Sequence, residues 1–251
     1  MVHVIILKEG GGIVVNGNKV FNILSIDWDY FIKASDIERG ELFPDGGTEN
    51  IPSSIRDIIW GSRYADDRLG NIDVIDEYYE FCNTLCSILH RDNPEVCIYE
   101  SHRHIYDHIK SMCNGRINLV NIDFHHDMFN DSDEVNCGNW LSHVVREYDG
   151  RFTWVAREDS FQIDKKLSKK VKIITNPLDL DSLSEIRWDL IYICRSDMWS
   201  PPHLDKKFSK MVDIVDECSC NVTYEESIFC DRYSEIEGMV KGLKSVIRKR
   251  A

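Results

Sequence analysis

Residues 121–127 read NIDFHHD, so a strand-like apolar run at 117–120 leads into an Asp-x-His-x-Asp triplet. Successive side chains of a strand point to opposite faces, so Asp123, His125 and Asp127 can converge on one point as the strand passes into its loop. Two carboxylates beside an imidazole at a strand end are costly without a cation. A second acidic pair, Asp27 and Asp29, ends the apolar run 23–26 on one shared face, and Glu100, Ser101 and His102 stand at the turn after the run 97–99. Each has a plainer reading: an Asp-x-Asp can cap a following helix, and a lone histidine can be a structural hydrogen-bonder. Three such strand ends in one chain argue for one shared site. Four carboxylates with two imidazoles and no thiolate form a hard, oxygen-dominated donor set, suited to Mn²⁺ or a two-metal site rather than to structural zinc. Two such ions about 3.5 to 4 Å apart can hold a bridging hydroxide as nucleophile, and the natural chemistry is hydrolysis.

The elements that must position these residues alternate. Strand-like runs at 117–122, 152–155, 171–175 and 190–194 interleave with helical spacing near 139–147, 204–217 and 234–248. Upstream, 74–89 and 102–112 read as helices and 96–99 as a short strand. The expected fold is α/β, a mostly parallel sheet with helices on both faces and ligands at the carboxyl ends of its strands. The N-terminal runs around Asn16-Gly17 predict a β-hairpin leading into 20–26. Residues 38–54, rich in Gly, Pro and polar side chains, predict a loop long enough to act as a lid or flap.

With 251 residues, 43% hydrophobic and 29% charged, the chain can bury one large core, and a single domain over 1–251 is expected. Thirty Lys and Arg against 43 Asp and Glu give a net charge of −13, which disfavours nucleic acid and anionic membranes and favours cationic substrates, although acidity also serves solubility. No apolar run approaches the ~20 residues of a membrane span, and no secretory leader is visible, so a cytoplasmic protein is expected. Nine cysteines without a C-x-x-C pair read mainly as reduced, buried small hydrophobes. His104 and His108, and the basic tail Lys241, Lys244, Arg248, Lys249 and Arg250, read as solvated helix faces.

The strings SIDWDYF, ESHRH, NIDFHHDMF, GNWLSH and ICRSDMWSPP together resemble the ureohydrolase superfamily of arginases and agmatinases, over roughly residues 20–205. They look most like the divergent branch of peptide arginases, which convert arginine residues of peptides to ornithine. The resemblance implies a three-layer α/β/α sandwich, two Mn²⁺ ions, and attack of a bridging hydroxide on a guanidinium to release urea. It makes Asp123, His125, Asp127 and His102 metal ligands. The last two carboxylates are less direct, because ordinary ureohydrolases draw an Asp-x-Asp from a late strand whereas the late strand here gives Cys194, Arg195, Ser196, Asp197. Either the order of the motifs is rearranged, and Asp27 and Asp29 take the role assigned to them, or Asp197 takes one of the two places. By the same resemblance Asp127 is catalytic and His143 stands where arginases carry a proton-shuttling histidine, its plainer reading being a structural helix histidine. The substrate is an arginine-containing peptide, Asn139 is a candidate to face it, and Glu100, Asp197, Glu225 and Glu226 are the carboxylates open to its guanidinium, with Glu100 and Asp197 carried forward. Self-association as a homo-oligomer stays open. Two alternatives use the same residues: a haloacid-dehalogenase-like, Mg²⁺-dependent phosphatase with Asp27 as nucleophile, and a catalytically inactive arginase-like regulatory domain.

Overall fold

Period-two alternation sorts the strand residues between two cores. On one face Leu24 and Ile26, Val96 and Ile98, Val120 and Ile122, and Ile191 and Ile193 are buried together, and on the other Ile23, Cys97, Ile117, Leu119, Leu190 and Tyr192. Strands buried on both faces belong to a parallel sheet covered by helices on each side. The computed structural model shows this architecture, and it describes residues 20–44, 51–129, 132–160, 169–175 and 178–250. Seven strands, β1 (Val20–Asp27), β2 (Glu95–Tyr99), β3 (Arg116–Ile122), β4 (Gly150–Ala156), β5 (Lys172–Thr175), β6 (Leu190–Cys194) and β7 (Val222–Tyr224), form one sheet in the order β5-β4-β3-β1-β6-β2-β7. Every pairing is parallel.

The direction of each crossover decides which face its helix covers. Steps toward β7 place α3 (Glu77–Asp92), α6 (Leu180–Glu185) and α7 (Asp205–Cys218) on the first face, through Phe81, Leu85, Leu183, Phe208 and Met211. Steps toward β5 place α4 (His104–Met112) and α5 (Trp140–Glu147) on the second, through Ile105, Ile109, Trp140 and Val144. This is what a constant crossover hand requires. The result is a three-layer α/β/α sandwich, closed on the first face by α8 (Arg232–Arg250) through Ile236 and Val240. At the β3–β4 contact, Gly150 has no substitute, because a Cβ there would overlap the Ile117 carbonyl.

Register sets the site. Ile26 pairs with Ile122, Asp27 with Cys194, and Tyr99 with Cys194, so the carboxyl ends of β3, β1, β6 and β2 are level and adjacent. The residues that follow each strand meet there, at a point where the chain departs in both directions across the sheet.

Three local expectations are corrected. The expected loop 38–54 is partly helical: α1 (Asp36–Leu42) starts at Ser35, whose hydroxyl accepts from Glu38 N while the Glu38 carboxylate accepts from Ser35 N, and α2 (Ser53–Arg63) follows. That Ser-x-x-Glu capping box is a sequence signal outweighed by the Gly and Pro content downstream. Residues 45–50 and the hairpin around Asn16-Gly17 lie outside the described residues. α6 and β7 were not anticipated, being short and only partly buried. Finally, only Cys82, Cys97, Cys113 and Cys194 are buried, while Cys86, Cys137 and Cys218 are half-buried and Cys220 and Cys230 exposed. Among the described residues, no helix is long and apolar enough to cross a membrane.

Candidate metal centre

β1 ends on Asp27, and a single 3-10 turn, Trp28–Phe31, follows at once. Asp27 performs both jobs open to it: Oδ1 caps that turn by accepting from Asp29 N at 2.9 Å, and Oδ2 accepts from Ser196 Oγ at 2.6 Å and lies 3.2 Å from His102 Nδ1. The turn swings Asp29 back toward the end of β3. There its Oδ2 is 2.9 Å from His125 Nδ1 and 3.5 Å from Arg39 Nη1, and its Oδ1 accepts from Phe124 N at 3.3 Å. Arg39 reaches in from α1, donating to the Asp29 carbonyl at 2.7 Å with its guanidinium 3.7 Å from the Phe124 ring centre.

β3 supplies Asp123, whose Oδ1 accepts from His125 N at 2.8 Å and whose Oδ2 accepts from Asn121 Nδ2 at 3.1 Å. The chain then turns sharply, with Asp127 at φ +48°, a left-handed conformation that a non-glycine residue rarely adopts and that returns its carboxylate to the cluster. Trp140 Nε1, at the start of α5, fixes Asp127 Oδ2 at 2.5 Å. His126 lies on the opposite side of this turn, accepting from Met128 N at 2.9 Å with its ring against Phe129 and Trp154. Of the two adjacent histidines, His125 is the one in the cluster.

His102, from the turn between β2 and α4, is the hub. Nε2 lies 2.6 Å from Ser25 Oγ, and Nδ1 lies 3.0 Å from Asp127 Oδ2, 3.2 Å from Asp27 Oδ2 and 3.3 Å from Asp123 Oδ2. That nitrogen is fully buried and in hydrogen-bond geometry with none of the three. One ring nitrogen carries at most one proton, so the three carboxylate oxygens crowded around it form, with it, a group that could hold a cation.

Two groups that could hold a metal ion, Asp29, Asp123 and His125 on one side and His102, Asp123 and Asp127 on the other, share Asp123, and a third joins Asp27 and His102 with the thiol of Cys194. The six residues expected from the sequence are brought together in these three groups, with Cys194 beside them. Without a cation, protons must take its place. Burial and the charges of Asp29 and Asp123 push Asp27 up to about 7, and burial with the charge of Asp127 pushes Asp123 up to about 8. Burial alone would lower the two histidines, yet the carboxylates of Asp123, Asp127 and Asp27 crowded against Nδ1 raise His102 well above its usual value, and Asp29 raises His125 to about 9. Asp29, despite its burial, is held below the usual carboxylate range by His125 and Arg39. Hard oxygen donors with two imidazoles, buried and electrostatically unbalanced, fit divalent cations of the manganese type.

The other expected residues fall around this centre. A narrow cleft with room for little more than a water molecule, about 20 Å³, opens beside it, lined by Glu100, Ser101, His102, Cys137, Ser196, Asp197, Met198 and Trp199. Glu100 is bound by the fork of Arg195, whose attraction outweighs burial and holds the carboxyl below its usual range. Asp197 pairs with Arg56 and keeps about one-fifth of its side chain exposed. Asn139 is turned inward, with Oδ1 accepting from Asn136 N at 2.8 Å and Nδ2 donating to the Glu134 carbonyl at 2.9 Å, so it fastens the loop before α5. His143 is not brought to the cluster: on α5 its Nδ1 is 2.6 Å from Arg146 Nη2 and its ring meets Tyr106 edge-on.

Sequence reasoning missed the supporting residues Ser25, Arg39, Asn121, Trp140, Ser196 and Trp199. Ser25 and Asn121 were findable, since each lies two residues before a ligand and so on the same strand face. Ser196 takes φ +53°, and with Trp199 N donating to its carbonyl at 2.8 Å it forms the turn that brings the Trp199 ring within 4.7 Å of His125. Nothing in the string RSDMW signals that turn. No family model, no curated protein and no solved structure matches the chain, so these distances and burials are what define the site.

Proposed function

We propose that the chain is a manganese-dependent amidino hydrolase that converts arginine side chains, within peptides, to ornithine with release of urea. The observation that carries this reading is the shared Asp123 between two buried Asp/His donor sets. Bound divalent ions would supply an activated water at neutral pH and offset the buried negative charge. The resemblance of SIDWDYF, NIDFHHDMF and ICRSDMWSPP to ureohydrolases selects the guanidino group as substrate.

The chain's own residues prepare the site. Ser25 and Ser196 fix His102 and Asp27 from outside, and Arg39 and Trp140 do the same for Asp29 and Asp127. The Trp199 ring would offer the guanidinium a flat face, and Asp197 would offer it a carboxylate by exchanging its partner Arg56 for the substrate. Glu100, already occupied by Arg195, positions the β6 turn. Asp127 would accept a proton from the attacking water. We assign the reaction to the cytoplasm.

The phosphatase alternative needs Asp27 free as nucleophile and Asp29 free as acid, whereas both are engaged in the cluster. The test is direct. Manganese-loaded protein, incubated with arginine-containing peptides, agmatine and free arginine, should release urea and yield ornithine in the peptide, and Asp123→Ala should not. Absence of urea from every substrate, or phosphate release from an aryl phosphate lost in Asp27→Asn, would overturn the reading.

A further inference from the structure

Both α3 and α7 run antiparallel to the strands, so their C-terminal ends lie at the amino edge of the sheet, opposite the Asp/His centre. Two cysteines meet there. Cys86, in the second half of α3, and Cys218, the last residue of α7, have their Sγ atoms 2.9 Å apart, closer than two sulfurs in ordinary contact. Both are half-buried, so a small oxidant can reach them. His90, one helical turn beyond Cys86, lies 3.5 Å from its Sγ.

With His90 the pair could be taken for a metal clip. Tetrahedral zinc, at about 2.3 Å from each thiolate, spaces its sulfurs roughly 3.8 Å apart. The observed separation is shorter, and His90 Nδ1 is already engaged with the Cys86 carbonyl at 3.0 Å.

We propose that Cys86 and Cys218 are a redox pair that closes into a disulfide bolting α3 to α7. The oxidant is a small disulfide of the glutathione class. The Cys86 thiolate attacks one of its sulfurs, the S–S bond breaks, and one glutathione leaves as thiolate, giving a mixed disulfide on Cys86. Cys218 then loses its proton to solvent and attacks the Cys86 sulfur, expelling the second glutathione thiolate. Two protein thiols are oxidised, one glutathione disulfide is reduced to two thiols, and the two cysteine protons pass to them. Burial and its neighbour push the Cys218 thiol up to about 11, which suits it to the resolving step, where the Cys86 sulfur already lies 2.9 Å away. The bond would close a loop across 132 positions of sequence, where cross-linking restricts the unfolded chain most. In a reducing compartment such a bond is transient and reports oxidant.

The full chain is treated with glutathione disulfide, its remaining thiols are alkylated, and the digest is read by mass spectrometry beside a thermal melt. The expected product is one linkage between the peptides carrying Cys86 and Cys218, with Tm raised by about 5 °C or more. The rise should be reversed by dithiothreitol, absent in Cys86→Ser and Cys218→Ser, and retained in Cys220→Ser. Stable glutathione adducts on either cysteine, linkage through Cys220, or an unchanged Tm would overturn the proposal. So would tight uptake of zinc by the reduced protein that Cys86→Ser abolishes. None of these outcomes depends on the Asp/His centre or its activity.

Discussion

Ser25 Oγ and His102 Nε2 are 2.6 Å apart, 77 residues apart in sequence, and joined across the ends of β1 and β2. The contact occupies the nitrogen that faces away from the carboxylates, so it sets which ring nitrogen is presented to a cation. Ser25→Ala should leave the fold intact and weaken manganese affinity about 10- to 100-fold, measured by calorimetric titration. Unchanged affinity would remove Ser25 from the site.

Asp123 is the residue shared by the group with Asp29 and His125 and the group with His102 and Asp127. Asp123→Asn keeps the shape and replaces a carboxyl whose ionisation is unfavourable without a cation. The variant should melt, in chelator, at or above the temperature of the unsubstituted chain, while its manganese-induced rise in Tm disappears. A lower metal-free Tm would show that Asp123 serves the fold rather than the ion.

The same electrostatics fix a pH dependence. Asp27 and Asp123 titrate near 7 and 8 in the folded chain, against an ordinary value of 3.8, so the unfolded chain loses these protons first. Their contribution to metal-free stability is therefore complete below about 4 and is lost as pH rises through 7 and 8. His125, raised from 6.5 to about 9, adds a loss of the same sign between those values, and the lowered Asp29 acts oppositely only in acid. Urea denaturation in chelator should show stability falling from pH 5 to pH 9, and manganese should reverse the trend because it displaces the protons. Rising metal-free stability over that range would contradict the assignment.

What the sequence made legible follows from local rules. Asp27, Asp29, His102, Asp123, His125 and Asp127 were readable because polar residues that follow apolar strands are a property of a few neighbouring residues, although tight turns after β1 and β3, and not side-chain alternation along a strand, are what gather Asp29, His125 and Asp127. The sheet class was readable for the same reason, from Ile23 to Ile26 and Leu190 to Cys194 being apolar on both faces. The pairing of Glu100 with Arg195 and of Asp197 with Arg56 was not, because it depends on loops meeting across the sheet. Asn139 and His143 show the limit of motif spacing: the fold uses one to fasten a loop and leaves the other beside Arg146 and Tyr106. The turn at Ser196, with its positive φ, is invisible to propensity, since glycine is the residue that normally marks it.

Trp199 tests the substrate side of the proposal. Its ring, half-buried beside His125, is placed to stack on a planar cation. Trp199→Ala should raise KM for an arginine peptide about 10-fold with a smaller change in kcat, and Trp199→Phe should recover most of the loss. An equal fall in kcat with KM unchanged would place Trp199 among the groups that hold the metal ligands instead.

The central claim is a two-ion centre organised by Asp123. Elemental analysis of the purified, manganese-equilibrated chain tests it most directly. About two manganese ions per chain, with at most one left in Asp123→Asn, is the predicted result. A manganese content of one or less in the unsubstituted chain, or a content unchanged by Asp123→Asn, would contradict it.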